Sequence, residues 1–234
     1  MANLFEVLNP VATLGRVRFA LFDFDGTLSV IRQGWEEVMA PLMVEMICGP
    51  TPPTLEIERE VADYIDRSTG ILTIEQMKWL EEAVQRYGLN PTIMPAKTYK
   101  RLYNERLLKP VRQRIAALQD PDSLMLRGAR DFLRALDQRG VTLFLVSGTD
   151  HEYVLAEAAV LQITHFFQGR IYGAMDDTQA YTKGRIIAQL LAKEGLQGPE
   201  LVVVGDGPVE IREAHQRQAL ALGVASDEVA RQGW

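Results

Sequence analysis

The sequence predicts an α/β protein with a parallel sheet whose helices cover both faces. From Leu126 onward, short continuous apolar runs alternate with amphipathic helical patterns. Such alternation is typical of parallel strands that are buried on both faces. Residues 17–22 form another apolar run, and a long block with helical patterning, residues 32–119, separates it from the others. We therefore expect one α/β unit that is interrupted by a helical insert.

The insert has apolar residues at helical spacing between proline- and glycine-rich turns, which predicts four or five helices. The first follows an apolar stripe that starts at Trp35, and we expect this tryptophan in the core of the insert. Thr73 and Gln76 have the spacing of a capping box and predict the start of a later helix. The last helical stretch, residues 96–119, contains Pro110, so we expect it to bend or break there.

After the insert, helices and strands are expected in turn. Helices are predicted at residues 131–139 and 183–194, and two more are predicted after Asp150 and after Asp206. Strands are predicted at residues 141–146, 201–204 and 219–224. Asp150 and Thr182 stand where N-cap residues are expected. Pro208 suits the first turn of the last helix, where its missing N–H costs nothing.

Composition and charge indicate which partners and which cellular compartment to expect for this protein. The chain has 234 residues and a formal net charge of -6, with Lys and Arg scattered among acids, so we expect no nucleic-acid partner. Cys48 is the only cysteine, and its apolar context favours an inert core thiol. The N-terminus lacks the pattern of a secretory signal, and no apolar run approaches the ~20 residues that span a bilayer. We expect a cytoplasmic protein without a membrane partner, and the sequence leaves its oligomeric state open.

Polar clusters stand at the predicted strand ends and helix starts. In chain order they are Asp23 with Asp25, then Ser147, Gly148 and Thr149, then Lys183, and last Asp206 with Glu210. Each cluster alone is an ordinary turn, helix cap or solvated side chain. Because ligands of parallel sheets bind at the carboxyl ends of strands, the clusters together predict one site.

The pair of acids at the first strand indicates the chemistry. Asp23 and Asp25 are two residues apart, so on a strand they face the same side. Two carboxylates held side by side are costly unless a cation lies between them. The pair therefore predicts a metal-assisted site in which one aspartate attacks and the other handles a proton.

Taken together, the clusters resemble the four motifs of the haloacid-dehalogenase superfamily of phosphotransferases. The matching sequences are Asp23-Phe-Asp-Gly-Thr27, Ser147-Gly-Thr149, Lys183 and Gly205-Asp206 with Glu210. The resemblance implies a Rossmann-like parallel-sheet core, residues 1–31 and 122–234. It also implies an all-helical cap domain, residues 32–121, inserted after the first catalytic strand.

The resemblance also implies a role for each matched acid and for the lysine. Asp23 would be the nucleophile, Asp25 the general acid and base, and Lys183 would offset the negative charge of the transition state. Mg²⁺ would be the cofactor, held by Asp23, by the backbone carbonyl of Asp25 and by Asp206. The family usually has an aspartate where this chain has Glu210, which would bind the metal directly or through a water.

The substrate would be bound from both sides of the site. The residues expected to contact its phosphoryl group are Thr27, Ser147, Gly148 and Thr149, and those expected to reach its leaving group are Arg32 and Thr69. The implied partner is a small phosphorylated metabolite. An acid at position 25 favours a phosphate ester, because relatives that cleave carbon–halogen or carbon–phosphorus bonds usually lack it.

The implied activity is Mg²⁺-dependent hydrolysis of phosphate monoesters, including those of sugars, through an aspartyl-phosphate. A sugar-phosphate mutase of the same superfamily is one alternative, and it would return the phosphate to the sugar. A phospho-accepting receiver is a second, although it needs no helical insert. A protein that binds phosphorylated ligands on this scaffold without catalysis is the third.

Overall fold

The computed structural model describes residues 16–175, 183–195 and 198–225 together with Leu8, and only the backbone at Lys183 and Glu194. Within these ranges, the strands are β1 (Phe19–Phe22), β2 (Thr142–Asp150), β3 (Ile171–Ala174), β4 (Leu201–Gly205) and β5 (Leu220–Gly223). All five are parallel and form one sheet in the order β3-β2-β1-β4-β5. The predicted α/β class with a parallel sheet is confirmed.

Helices surround the sheet and fill the insert. Between β1 and β2 lie α1 (Glu36–Cys48), α2 (Leu55–Arg67), α3 (Thr73–Tyr87), α4 (Ala96–Ala116) and α5 (Ala129–Asp137). Later in the described chain come α6 (His151–Val160), α7 (Thr164–Phe167), α8 (Lys183–Glu194) and α9 (Pro208–Gln216). Helices α1–α4 form the predicted cap domain. The boundaries expected for the cap, residues 32–121, and for the core, residues 1–31 and 122–234, remain predictions.

The central strand β1 is buried on both faces, which explains its continuous apolar sequence. Ala20 and Phe22 belong to a large core that continues into the cap, whereas Phe19 and Leu21 pack in a second core under α8 and α9. In register, Phe22 pairs with Leu145 of β2 on one side and with Val204 of β4 on the other. The residues that follow these three positions therefore emerge at the same edge of the sheet.

Two local predictions in the cap concern Pro110 and Thr73. Helix α4 continues through Pro110 without a break, with Leu107 and Val111 on either side buried in the cap core, and the bend expected there stays a prediction. Thr73 is the first residue of α3 and not its N-cap, and no side chain caps this helix. Gln76 donates instead to the Ser68 hydroxyl oxygen at 3.1 Å. The predicted capping box was therefore wrong, because Gln76 bonds to a residue outside the helix.

The sheet also differs from prediction at two places. Strand β2 extends to Asp150, so the Ser147–Thr149 motif lies within the strand. Strand β3 was not predicted, because it is short and contains Gly173, which passes close to the backbone of His151. Asp150 occupies the N-cap position of α6 as predicted, but its carboxylate pairs with Lys100 and does not cap the helix.

Other predictions concern single positions. Cys48 is buried at the end of α1 and Pro208 opens α9, both as predicted. Trp35 is half-buried and packs against the cap core. Thr182, the predicted cap of α8, lies outside the described residues. No helix in the described part of the chain has the length and apolarity that crossing a membrane requires.

Candidate active site

The ends of β1, β2 and β4 open into a cleft of about 420 Å³ between the sheet and the cap. From the sheet side it is lined by Asp23, Asp25, Gly26, Ser147, Gly148, Thr149 and Asp206. From the cap side it is lined by residues that include Arg32, Trp35, Thr69, Gln76 and Tyr103. The fold thus brings three of the four predicted motifs to one place. Lys183 begins α8 as predicted, but its side chain lies outside what the structure describes.

Asp23 is held where the sheet ends. Its backbone N–H donates to the Val204 carbonyl at 2.9 Å, so the pairing of β1 with β4 extends one residue beyond Phe22. Asp23 is buried, with 4% of its surface exposed, and it lines the cleft. The backbone of Asp23 is therefore fixed at the edge of the sheet where the cleft begins.

Gly26 lets the first motif approach the fourth. Its φ of +73° lies in the left-handed region, which favours glycine. A Cβ at this position would stand 1.9 Å from Asp206 Oδ2, so the Asp206 carboxylate occupies the space that a side chain would need. The next residue, Thr27, donates its hydroxyl to Asp206 Oδ1 at 3.4 Å. Thr27 was predicted to contact the substrate, and in this structure its hydroxyl contacts Asp206.

Asp25 is oriented by the second motif. Thr149 donates its hydroxyl to Asp25 Oδ2 at 2.8 Å, and Ser147 Oγ lies 3.5 Å from the same oxygen. The Ser147 hydroxyl also accepts from the Thr149 backbone N–H at 3.0 Å, which fixes the turn of the motif. The other oxygen, Asp25 Oδ1, is buried and accepts no hydrogen bond within the described residues. Its ion-pair partner is Arg32, whose Nε is 4.0 Å away.

Arg32 is bound by an acid that the sequence did not single out. Its Nε donates to both Glu157 carboxylate oxygens at 3.1 Å, and its Nη2 donates to Oε1 at 2.7 Å. Both residues are buried, at 6% and 3% exposure. Burial alone would lower the pKa of Arg32, but the Asp25 and Glu157 carboxylates raise it, so the guanidinium stays charged. Its predicted contact with a leaving group remains a prediction.

The cap closes on the second motif through the cap loop, residues 68–71. The Ile71 carbonyl oxygen lies 2.8 Å from where a Cβ of Gly148 would be, so only glycine fits there without displacing backbone. Thr69 donates its hydroxyl to the Ile65 carbonyl at 3.2 Å and lines the cleft. Its predicted role in substrate binding remains a prediction.

The side chain of Glu210 packs against the loop that carries Asp206. It is 1% exposed in the first turn of α9. Its Cγ is 2.3 Å from the position of a Cβ on Gly205, and its Oε2 is 2.9 Å from that of Gly207 and 3.6 Å from that of Gly70. The Glu210 side chain therefore fills a space that Gly205 and Gly207 leave open, and its carboxylate lies at ordinary van der Waals distance from the Cβ position of Gly70.

The family assignment follows from a comparison of the whole sequence. The sequence model of the haloacid dehalogenase-like hydrolases matches residues 17–216. The chain belongs to this family. The match spans the helical insert as well as strands β1 to β4, so the cap is part of it. No curated protein matches the sequence.

Solved structures of other proteins share the fold of this chain. One is a predicted phosphoglycolate phosphatase from Haemophilus somnus 129PT, with a TM-score of 0.61, 16% identity, and coverage of 90% of this chain and 86% of that one. Another is a family IA, variant 3 hydrolase from Entamoeba histolytica (TM-score 0.61, 18% identity, coverage 91% and 86%). A third, from Bacteroides vulgatus, is predicted to be a beta-phosphoglucomutase (TM-score 0.60, 18% identity, coverage of 91% of this chain and 78% of that one). At these identities the likeness establishes the fold of this hydrolase and no more.

Oxygen atoms at the ends of β1 and β4 are the groups that could hold Mg²⁺. The carboxylates of Asp23 and Asp206 line the cleft with Asp25, and the absence of a side chain on Gly26 lets the Asp206 carboxylate lie against the first motif. Mg²⁺ prefers oxygen ligands, takes one or two carboxylates and keeps several waters. Within the described residues no three His, Cys, Asp or Glu side chains form a preformed metal cluster.

Glu157 is the functional candidate that sequence reasoning missed in this hydrolase. It lies 125 residues from Arg32 in the chain, and no short motif joins the two. One signal was available. Glu157 lies between the apolar residues Val154 and Ala158, all three are buried on α6, and a buried acid requires a partner.

Proposed function

We propose that this hydrolase cleaves phosphate monoesters of small metabolites through a covalent phosphoryl group on Asp23. The observation that carries the proposal is the arrangement at the end of β1. There Asp23 and Asp25 line one cleft, Thr149 fixes Asp25, and Asp206 lies against Gly26. A nucleophile, a proton-transfer group and a set of metal ligands at one point are what phosphoryl transfer requires.

In the first step, an Asp23 carboxylate oxygen attacks phosphorus. The bond between phosphorus and the leaving oxygen breaks, and this oxygen keeps the electron pair and takes a proton from Asp25. The product alcohol then leaves, and the phosphoryl group remains on Asp23 as an acyl phosphate.

In the second step, a water attacks phosphorus and gives a proton to Asp25. The bond from phosphorus to the Asp23 oxygen breaks, which releases inorganic phosphate and restores both aspartates. Asp25 therefore acts as an acid and then as a base, and the contact with Thr149 keeps its carboxylate in one orientation through both steps.

The remaining groups would stabilise charge. Asp23, Asp206 and the Asp25 carbonyl would hold Mg²⁺, which neutralises phosphoryl oxygens when bound. We assign Lys183 to the same task, and Ser147, with backbone N–H groups of its motif, to binding phosphoryl oxygens. Glu210 would support the Asp206 loop and contact the metal directly or through a water.

The cap would determine the substrate. A cleft of about 420 Å³ has the size of a small-metabolite site, and Gln76, Trp35 and Tyr103 offer polar and aromatic contacts of the kind that sugars use. We therefore include sugar phosphates among the expected substrates. A mutase would differ only in the second step, where a sugar hydroxyl replaces water.

The test is phosphate release from a panel of phosphorylated metabolites and p-nitrophenyl phosphate, with Mg²⁺ and with EDTA. We expect release that requires Mg²⁺ and is lost in Asp23→Asn, which serves as the matched control. No release from any ester would refute hydrolysis. Isomerisation of a sugar phosphate that requires a bisphosphorylated primer, without net phosphate release, would establish the mutase instead.

A further inference from the structure

We infer that Glu157 and Arg32 are positioning residues that hold Asp25 in place for proton transfer. The inference rests on the proposed function, in which Asp25 exchanges a proton with the leaving group and with water. It departs from the prediction that Arg32 binds the leaving group directly.

Glu157 fixes the orientation of the guanidinium. The side chains of Arg32 and Glu157 are 7% and 4% exposed, so solvent contributes little to their arrangement. Two nitrogens of the planar guanidinium donate to the two carboxylate oxygens, which is a geometry that leaves little rotational freedom. The ring of Tyr153 lies 5.4 Å from Arg32 Cζ and restricts the guanidinium further.

Arg32 in turn acts on the oxygen of Asp25 that accepts no hydrogen bond from the described part of the chain. Thr149 holds Oδ2, whereas Oδ1 is buried and, among the described residues, is paired with Arg32 Nε at 4.0 Å. A buried carboxylate oxygen without a hydrogen bond is unfavourable unless a positive charge lies near it. The attraction between Arg32 and Asp25 therefore stabilises the observed orientation of the Asp25 carboxylate.

Glu157 also keeps Arg32 from coming closer. Because Nε already donates to Glu157, its contact with Asp25 remains an ion pair at 4.0 Å and not a hydrogen bond. Without Glu157, the guanidinium would be able to bind Asp25 directly and occupy the oxygen that the leaving group needs. Arg32 thus places positive charge near Asp25, and Glu157 leaves Oδ1 available for proton transfer.

The test compares esters that differ in their need for an acid. The p-nitrophenolate leaving group of p-nitrophenyl phosphate departs without much protonation. The phenolate leaving group of phenyl phosphate needs a proton from a general acid. For Glu157→Gln we expect kcat/KM, which reports the first step, to fall at least about tenfold more with phenyl phosphate than with p-nitrophenyl phosphate, since a general acid contributes ~10²–10⁴-fold. KM should rise for neither ester, because neither residue is expected to bind the phosphoryl group.

Two further variants separate positioning from loss of structure. Arg32→Met/Glu157→Leu replaces the buried pair with apolar side chains, which proteins often tolerate, and should show the same selective loss while its circular dichroism matches the wild type. Lys100→Gln removes another ion pair between the cap and the core, with Asp150, and should affect both esters equally.

Equal losses of kcat/KM on both esters in Glu157→Gln and in the double variant would overturn the inference. A rise in KM for both esters with an unchanged ratio of their kcat/KM values would also overturn it and return Arg32 to substrate binding. These results are distinct from failure of the proposed function, in which the wild type itself hydrolyses neither ester.

Discussion

Replacing Gly26 with alanine is expected to inactivate the protein at a small cost in stability. The added methyl group would stand 1.9 Å from Asp206 Oδ2 and 2.7 Å from its Cγ. These distances are far inside van der Waals contact, so the carboxylate has to move by about 1 Å or more. A displacement of that size in a catalytic site reduces the rate by up to ~10²-fold, and we expect a loss of this order in kcat/KM.

The stability effect follows from the backbone. Gly26 has a φ of +73°, and an L-residue in the left-handed region costs about 1–2 kcal/mol. For a chain of this size each kcal/mol lowers Tm by ~2–4 °C, which predicts a fall of ~2–8 °C. This loss leaves the protein folded at 25 °C, so the kinetic effect can be measured on native protein.

Gly140 provides a matched control. Its φ is +72°, and nothing lies within 4 Å of the position of its Cβ. Gly140→Ala should therefore lower Tm by the same amount and leave activity unchanged. Thermal unfolding followed by circular dichroism and hydrolysis of p-nitrophenyl phosphate check both variants. The reasoning is refuted if Gly26→Ala keeps more than about a tenth of wild-type activity, or if Gly140→Ala loses as much activity as Gly26→Ala.

Three other expectations concern the acids. Asp23→Asn should lower phosphate release at least ~10³-fold, and larger residual activity in a purified sample would contradict its role as nucleophile. Asp25→Asn should accumulate phosphoryl-Asp23 from p-nitrophenyl phosphate, detected by rapid quench and mass spectrometry; no label at Asp23 would contradict the assignment. In Mg²⁺ titrations, Asp206→Ala should stay inactive at all concentrations, and Glu210→Ala should need ~10–100-fold more Mg²⁺. Equal, unrescuable loss in both would make Glu210 a direct ligand.

Local signals in the sequence were reliable where no distant group competed with them. The apolar runs of β1 and β4 form strands because strands covered on both faces need apolar residues at every position. Pro208 opens α9 because the first turn of a helix does not use its missing N–H. In these places the local preference and the tertiary environment favour the same structure.

Where a distant partner competed, the local signal was misleading. Asp150 stands at an N-cap position, but an ion pair with Lys100 of the cap takes its carboxylate. Gln76 donates to Ser68 and makes no capping box with Thr73. Side chains of these types bond equally well to nearby backbone and to distant groups, so a pattern of a few residues does not decide between them.

The sequence by itself determined the parallel sheet, the helical insert and the edge at which the motifs emerge, because apolar periodicity and strand order fix these features. Only the tertiary structure decided which groups touch there. The contact between Glu157 and Arg32 crosses 125 residues, and the Asp206 carboxylate fills the space beside Gly26. Such contacts depend on how α6, the cap and the strand ends pack against one another. Packing is a property of the whole folded chain, which no local pattern encodes.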